Sequence, residues 1–179
     1  MITSFLNDVS DLEDRLTEFC TASQTDQTVK DTVSEILHEI RKSGDTAMLE
    51  KTLKYDHAKL SQNEIKVTKN ELEEAKSKLT VLERESILEA IENVSLFHER
   101  SIPENWSTSN NHGAKVGEKF YPINRVGIYV PGGNVPLIST VIMTVTIANV
   151  AKVKEIAVVT PPDSEGKIAP QMLAALELL

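Results

Sequence analysis

Two short β-branched runs, set apart by a crossover-length stretch, do most to limit the fold of this chain. Arg125-Val126-Gly127-Ile128-Tyr129-Val130 has strand length and is stopped by Pro131-Gly132-Gly133. Glu155-Ile156-Ala157-Val158-Val159-Thr160 is a second such run, stopped by Pro161-Pro162. Parallel strands need a connection of about a dozen residues or more, and such crossovers are almost always right-handed. The segment from Leu137 to Lys154 is long enough. Propensity pulls the other way, because Val141, Ile142, Thr144, Val145, Thr146 and Ile147 are β-branched. Length decides for a helix, since strands seldom exceed about ten residues. Ser139 or Thr140 can cap its start. The pattern predicts an α/β fold with a parallel βαβ unit: strand 126–130, helix about 139–152 and strand 155–160. A helix so uniformly apolar requires cover on more than one side.

Ahead of this unit the sequence is helical and charged as far as Pro103. Ser10-Asp11-Leu12-Glu13 has the form of a capping box, and Val9, Leu12, Leu16 and Phe19 follow helical spacing. A second helix is predicted over 28–43, with Val29, Val33, Ile36, Leu37 and Ile40 on one stripe and Gly44 as a left-handed cap. A third begins at Asp45 or Thr46 and runs through Lys54. Thr68-x-x-Glu71 and Thr80-x-x-Glu83 are further capping boxes. They predict a short helix, about 69–78, and a longer one, about 81–99, that buries Leu82, Ile87, Ile91, Val94 and Phe97. The Glu and Lys residues between these positions read as a solvated face. Ser107 to Gly113 has turn chemistry, which places a connection or hairpin there. Ile168, Met172, Ala175 and Leu179 open a last helical stripe. The chain stops at Leu178-Leu179 without a cap, and two strands make no independent doubly wound sheet. The expectation is therefore the front part of a longer protein.

Composition narrows the function classes. The formal net charge of −8 and the absence of a basic patch argue against a nucleic-acid partner. Lys152, Lys154 and Glu155 interrupt the most apolar stretch before it reaches the roughly 20 residues of a membrane helix. The N-terminus lacks a basic region followed by an apolar run, so a cytoplasmic protein with no membrane partner is expected. Cys20 is the one cysteine, which excludes an internal disulfide and a Cys-x-x-Cys site.

The residues by themselves supply no catalytic constellation. His38, His57, His98 and His112 form no i, i+4 pair and have no carboxylate or cysteine at metal-ligand spacing. Local chemistry concentrates at Val126 to Gly133. Glycines directly after a strand let the backbone approach a ligand that a Cβ would exclude. A helix N-terminus aimed at that turn would favour an anion such as a pyrophosphate. Tyr129 could lay its ring on a nucleotide and hydrogen-bond through its hydroxyl. The Gly-x-Gly-x-x-Gly fingerprint is absent, however, and a sharp Pro-Gly-Gly turn beside an ordinary sheet tyrosine accounts for the same residues.

The run Arg125 to Gly133, followed by Pro136-Leu137, Ser139-Thr140-Val141 and Met143, resembles the signature of the histidinol dehydrogenase family. The resemblance continues through Ala148, Val150-Ala151 and Val153-Lys154-Glu155-Ile156 to Val159-Thr160-Pro161-Pro162. Upstream, Gly44-Asp45-Thr46-Ala47, Tyr55-Asp56, Ala90-Ile91, Phe97-His98-Glu99 and Trp106 fall in family order. Two positions depart from it: Ile147 where the family usually has proline, and Lys152 where it usually has glycine.

This resemblance implies a zinc-dependent enzyme that oxidises L-histidinol through the aldehyde to L-histidine in two NAD-dependent steps, the last of histidine biosynthesis. It implies a homodimer with incomplete Rossmann-like domains, residues 1–122 being a helical part of the first domain and 123–179 the start of the NAD-binding one. Tyr129 matches the family's NAD-contacting tyrosine. The zinc ligands and the Glu-His pair that handles protons belong to the family's later sequence, so no catalytic or metal residue is assigned here and the chain alone is expected to be inactive. Two other readings remain: a related enzyme acting on another alcohol such as sulfopropanediol, or a non-catalytic interaction module.

Overall fold

The computed structural model describes residues 12–22, 26–132 and 136–179. The chain divides into two compact units, Met1–Ala47 and Met48–Leu179. In the first, α1 spans Leu12–Ala22 and α2 spans Gln27–Ser43. The box at Ser10 lies outside the described residues. Asp26 caps α2, its carboxylate accepting from the Thr28 amide at 2.9 Å. Gly44 ends α2 by donating its amide to the Ile40 carbonyl, 2.8 Å. Its φ of 55° comes with a ψ of −133°, so the cap is not the left-handed helical one predicted. The next helix, α3 (Asp45–Asp56), starts at once after this glycine, whose positive φ glycine adopts without strain.

The second unit holds the core. Thr68 and Thr80 open α4 (Lys69–Ser77) and α5 (Val81–Glu99) with the reciprocal boxes the sequence predicts. Thr80 donates its amide to the Glu83 carboxylate at 2.9 Å, and its hydroxyl accepts from the Glu83 amide at 3.2 Å. Ile87 is buried, with Ala90, Ile91 and Val94 packed beside it. Leu82 and Phe97, expected inside, are 74% and 70% exposed. Helical geometry explains the correction: Leu82 lies about 140° and Phe97 about 80° around the helix from Ile87.

A hairpin follows, β1 (Trp106–Ser109) antiparallel to β2 (Lys115–Glu118), and every residue of both strands is exposed. Trp106 donates its indole N–H to the Glu118 carboxylate at 2.8 Å.

The βαβ unit is present as predicted, within a residue or two at each end. β3 (Arg125–Tyr129) pairs in parallel with β4 (Glu155–Val159), joined by α6 (Ile138–Val150). Tertiary burial overrides β-branching in α6: Val141, Ile142, Val145, Thr146 and Ala148 are all buried. The helix packs against α5, β3 and α7 (Pro170–Leu178), the cover its apolar surface requires. Pro170 occupies the first turn of α7, where its missing N–H costs nothing. Met172, Val130 and Val141 are the largest apolar side chains fully enclosed. Each contributes about 1.5–3 kcal/mol by leaving water. The α4 helix packs on α7, where Lys76 and Glu177 pair at 3.0 Å.

Candidate functional site

Parallel pairing brings the carboxyl ends of β3 and β4 to the same side, in register Ile128 with Val158 and Tyr129 with Val159. Open α/β sheets bind ligands in the crevice outside those ends. Alternation along β3 sends Ile128 into the core and leaves Tyr129 on the opposite face, 65% exposed. Its cross-strand neighbour Val159 is 58% exposed, and Arg125 meets Glu155 at 3.5 Å at the far end of the pair. Among the described residues the Tyr129 hydroxyl makes no hydrogen bond. The ring therefore offers a flat apolar surface with a polar tip, unpartnered at the sheet's exit.

Gly132 shows why that turn needs glycine. A Cβ there would collide with the Thr160 hydroxyl and stand 2.7 Å from the Pro161 carbonyl oxygen. The turn after β3 thus lies directly against the turn after β4. Thr160 Oγ1 is buried there without a hydrogen-bond partner among the described residues. A cavity of about 60 Å³ opens between Gly132, Pro136, Thr160, Asp163, Lys167 and Met172. Gly133 lies outside the described residues. The crossover helix starts at Ile138 with Leu137 in the cap position and no side-chain cap, so neither Ser139 nor Thr140 fills the role expected of it. Both are carried inside the helix, where their side chains no longer precede its first free N–H groups.

The loop after β4 is closely tied. Asp163 Oδ1 accepts from the amides of Glu165 at 2.9 Å and Lys167 at 2.8 Å, and the Asp163 amide donates to the Lys167 carbonyl at 2.8 Å. Gly166 makes the turn at φ 79°. Lys167 donates to the Glu165 carboxylate at 3.0 Å, and that hydrogen bond holds its pKa above the ordinary lysine value. Sequence reasoning treated Pro161-Pro162 only as a strand stop and missed Thr160, Asp163 and Lys167. The available signal was an acidic residue just past the second strand of a βαβ unit.

The histidines stay apart: His38 on α2, His57 just past α3 at φ 60°, His98 edge-on to Phe97 at 5.1 Å, and His112 in the hairpin turn. Among the described residues, no three His, Cys, Asp or Glu side chains are grouped to hold a metal ion. No helix of the described residues is long and apolar enough to cross a membrane.

The chain matches the family model of histidinol dehydrogenase over residues 20–179. A curated histidinol dehydrogenase of Symbiobacterium thermophilum is 40% identical over 143 residues, which are 80% of this chain and 33% of the relative. The protein named histidinol dehydrogenase 2 in a Nostoc species is 32% identical over 170 residues, 94% of this chain and 39% of its own length. A crystal structure of histidinol dehydrogenase from Elizabethkingia anophelis is similar with a TM-score of 0.80 and 30% identity, covering 87% of this chain and 35% of that one. The chain thus spans between a third and two fifths of the length of these relatives.

Proposed function

Because this chain belongs to the histidinol dehydrogenase family, we propose that it supplies part of an enzyme oxidising L-histidinol through the aldehyde to L-histidine. NAD, when bound, supplies the hydride acceptor for that oxidation. The observation that carries the reading is Tyr129, two-thirds exposed at the carboxyl end of a parallel strand beside a turn that tolerates no Cβ.

The residues at the strand ends fit one edge of a dinucleotide. Tyr129 would hold a nucleotide by ring packing and a hydrogen bond from its hydroxyl. Gly132 keeps side-chain bulk out of the turn, so that a ligand can approach its backbone closely. The cavity of about 60 Å³ is too small to enclose a base, so the contact is with an outer edge rather than a closed pocket. The described residues do not fit zinc, and none of its chemistry is assigned to them. In this reading residues 123–179 begin a Rossmann-like nucleotide domain, the zinc ligands lie in the part of the family's length this chain does not span, and the working enzyme is a cytoplasmic homodimer.

A chimera tests the reading, with the 143 residues of this chain that align with the Symbiobacterium relative replacing their counterparts there. It should reduce NAD when given histidinol. Tyr129→Phe should weaken NAD binding by about 0.5–1.5 kcal/mol, the worth of one hydrogen bond. Tyr129→Ala should weaken it further, since the packing surface goes too. A folded chimera whose NAD affinity ignores Tyr129→Ala would overturn the assignment.

A further inference from the structure

In βαβ units that bind dinucleotides, an acidic residue beyond the second strand accepts the adenosine ribose 2′-hydroxyl, while a cation in that place accommodates a 2′-phosphate. Both chemistries are present in the loop after β4, and their geometry decides between them. Asp163 lies on the same small cavity as Gly132 and Thr160, so the glycine turn after β3 and the acid after β4 border one crevice. Its Oδ1 is occupied by two backbone amides, at 2.9 and 2.8 Å. Those bonds fix the carboxylate and leave Oδ2 without a partner among the described residues. Thr160 Oγ1, buried beneath the crevice wall, has no hydrogen-bond partner among the described residues. Lys167, the cation that could have received a phosphate, is bound to Glu165 at 3.0 Å. That exposed pair offsets the lysine charge only in part, and Asp163 is the acid that lines the crevice beside it.

We propose that Asp163 selects NAD against NADP, Oδ2 accepting the 2′-hydroxyl of the adenosine ribose and its charge repelling a 2′-phosphate. The proposal rests on the reading of Tyr129 and the strand ends as a nucleotide site. It goes beyond that reading by naming the residue that discriminates between the two cofactors. Asp163→Asn is the informative variant. The amide oxygen can keep both backbone bonds, while the other carboxylate oxygen becomes an N–H₂ donor and the charge is lost. Glu165→Gln is its complement, because it frees Lys167 without touching Asp163.

The chimera with the Symbiobacterium relative and its variants are titrated separately with NAD and with NADP, followed by isothermal titration calorimetry. The thermal midpoint of each variant reports that the fold is intact. The parent should prefer NAD, and Asp163→Asn should lower that preference about tenfold, as expected on removing a like-charge repulsion and a specific acceptor. Glu165→Gln should tighten NADP alone. If NAD binds and is lost on Tyr129→Ala, but the preference is the same in Asp163→Asn, the selector is not Asp163 and the nucleotide site stands. If neither dinucleotide binds, or Tyr129→Ala changes neither, the nucleotide reading itself fails and this proposal with it.

Discussion

Val153 donates its backbone N–H to the carbonyl of Ala148 at 3.0 Å, reaching across Lys152, which is held at φ 61°. With Lys152 bonded to the Asn149 carbonyl at 2.9 Å, this is a Schellman ending, and its left-handed position is one that glycine fills without strain. The resemblance puts glycine there, and the sequence showed Lys152 only as an added charge. The backbone supplies the physical reason for the family's preference.

Lys152→Gly should therefore stabilise the chain by about 0.5–1 kcal/mol, since a side chain at positive φ costs roughly that much. Thermal unfolding followed by far-ultraviolet circular dichroism reads the change as a higher midpoint. A lower midpoint would show that Lys152 makes a compensating contribution larger than its strain.

The capping boxes give a pH dependence of known sign. Hydrogen bonds from Thr80, hydroxyl first and amide second, hold the Glu83 carboxyl below the ordinary value of 4.5, and Thr68 does the same for Glu71. A depressed folded pKa contributes stability that is complete above the ordinary value and lost as pH falls through the folded one. Thr80→Ala should cost about 1 kcal/mol at neutral pH, the usual worth of an N-cap. The gap between parent and variant should narrow when both are unfolded well below pH 4.5. A gap of constant size would mean that the carboxylate takes no part in the cap.

Two glycines in the βαβ unit should respond differently to a methyl group. At Gly132 a Cβ meets Thr160 and Pro161, and the nearest atoms include backbone that cannot swing aside. Gly132→Ala should destabilise by about 1–3 kcal/mol, the range for overpacking. At Gly127 nothing lies within 4 Å of the added carbon, so Gly127→Ala should change stability little. Equal midpoints for the two variants would contradict the close approach of the two turns.

The chain alone is expected to oxidise no histidinol and to hold no stoichiometric zinc. The reaction needs a base for the alcohol proton, a metal to polarise the forming carbonyl and a positioned hydride acceptor. Only an edge of the acceptor's site is proposed among these residues. With zinc, NAD and histidinol supplied, the absorbance of reduced nicotinamide should stay flat. Steady turnover abolished by a chelator would show a complete active site.

What the sequence made legible followed from short-range rules. The boxes at Thr68 and Thr80 placed two helix starts to the residue, because a reciprocal cap is a local device. Crossover length outweighed the β-branching of Val141 to Ile147, and the structure agrees. Facing was harder: Leu82 and Phe97 share α5's apolar character but not its buried side, which only the position of α6 decides. The same limit hid the crevice. Gly132 and Thr160 are far apart along the chain, and their contact exists only once β3 and β4 pair. A third box at Ser61 and Glu64, opening the short 3-10 turn Gln62–Glu64, obeys the rule that found the other two.

The hydrogen bond between Trp106 and Glu118 also determines what light can report about this molecule. Trp106 is the single tryptophan of the sequence, and it sits half exposed on a hairpin none of whose strand residues is buried. Its emission is therefore a probe of that arm, with no view of Met172 or Val141. Opening of the hairpin would change the fluorescence while α5, α6 and α7 remain packed. An intrinsic-fluorescence melt and a dichroism melt of the same sample should therefore give two different midpoints, the first belonging to the hairpin and the second to the helical core.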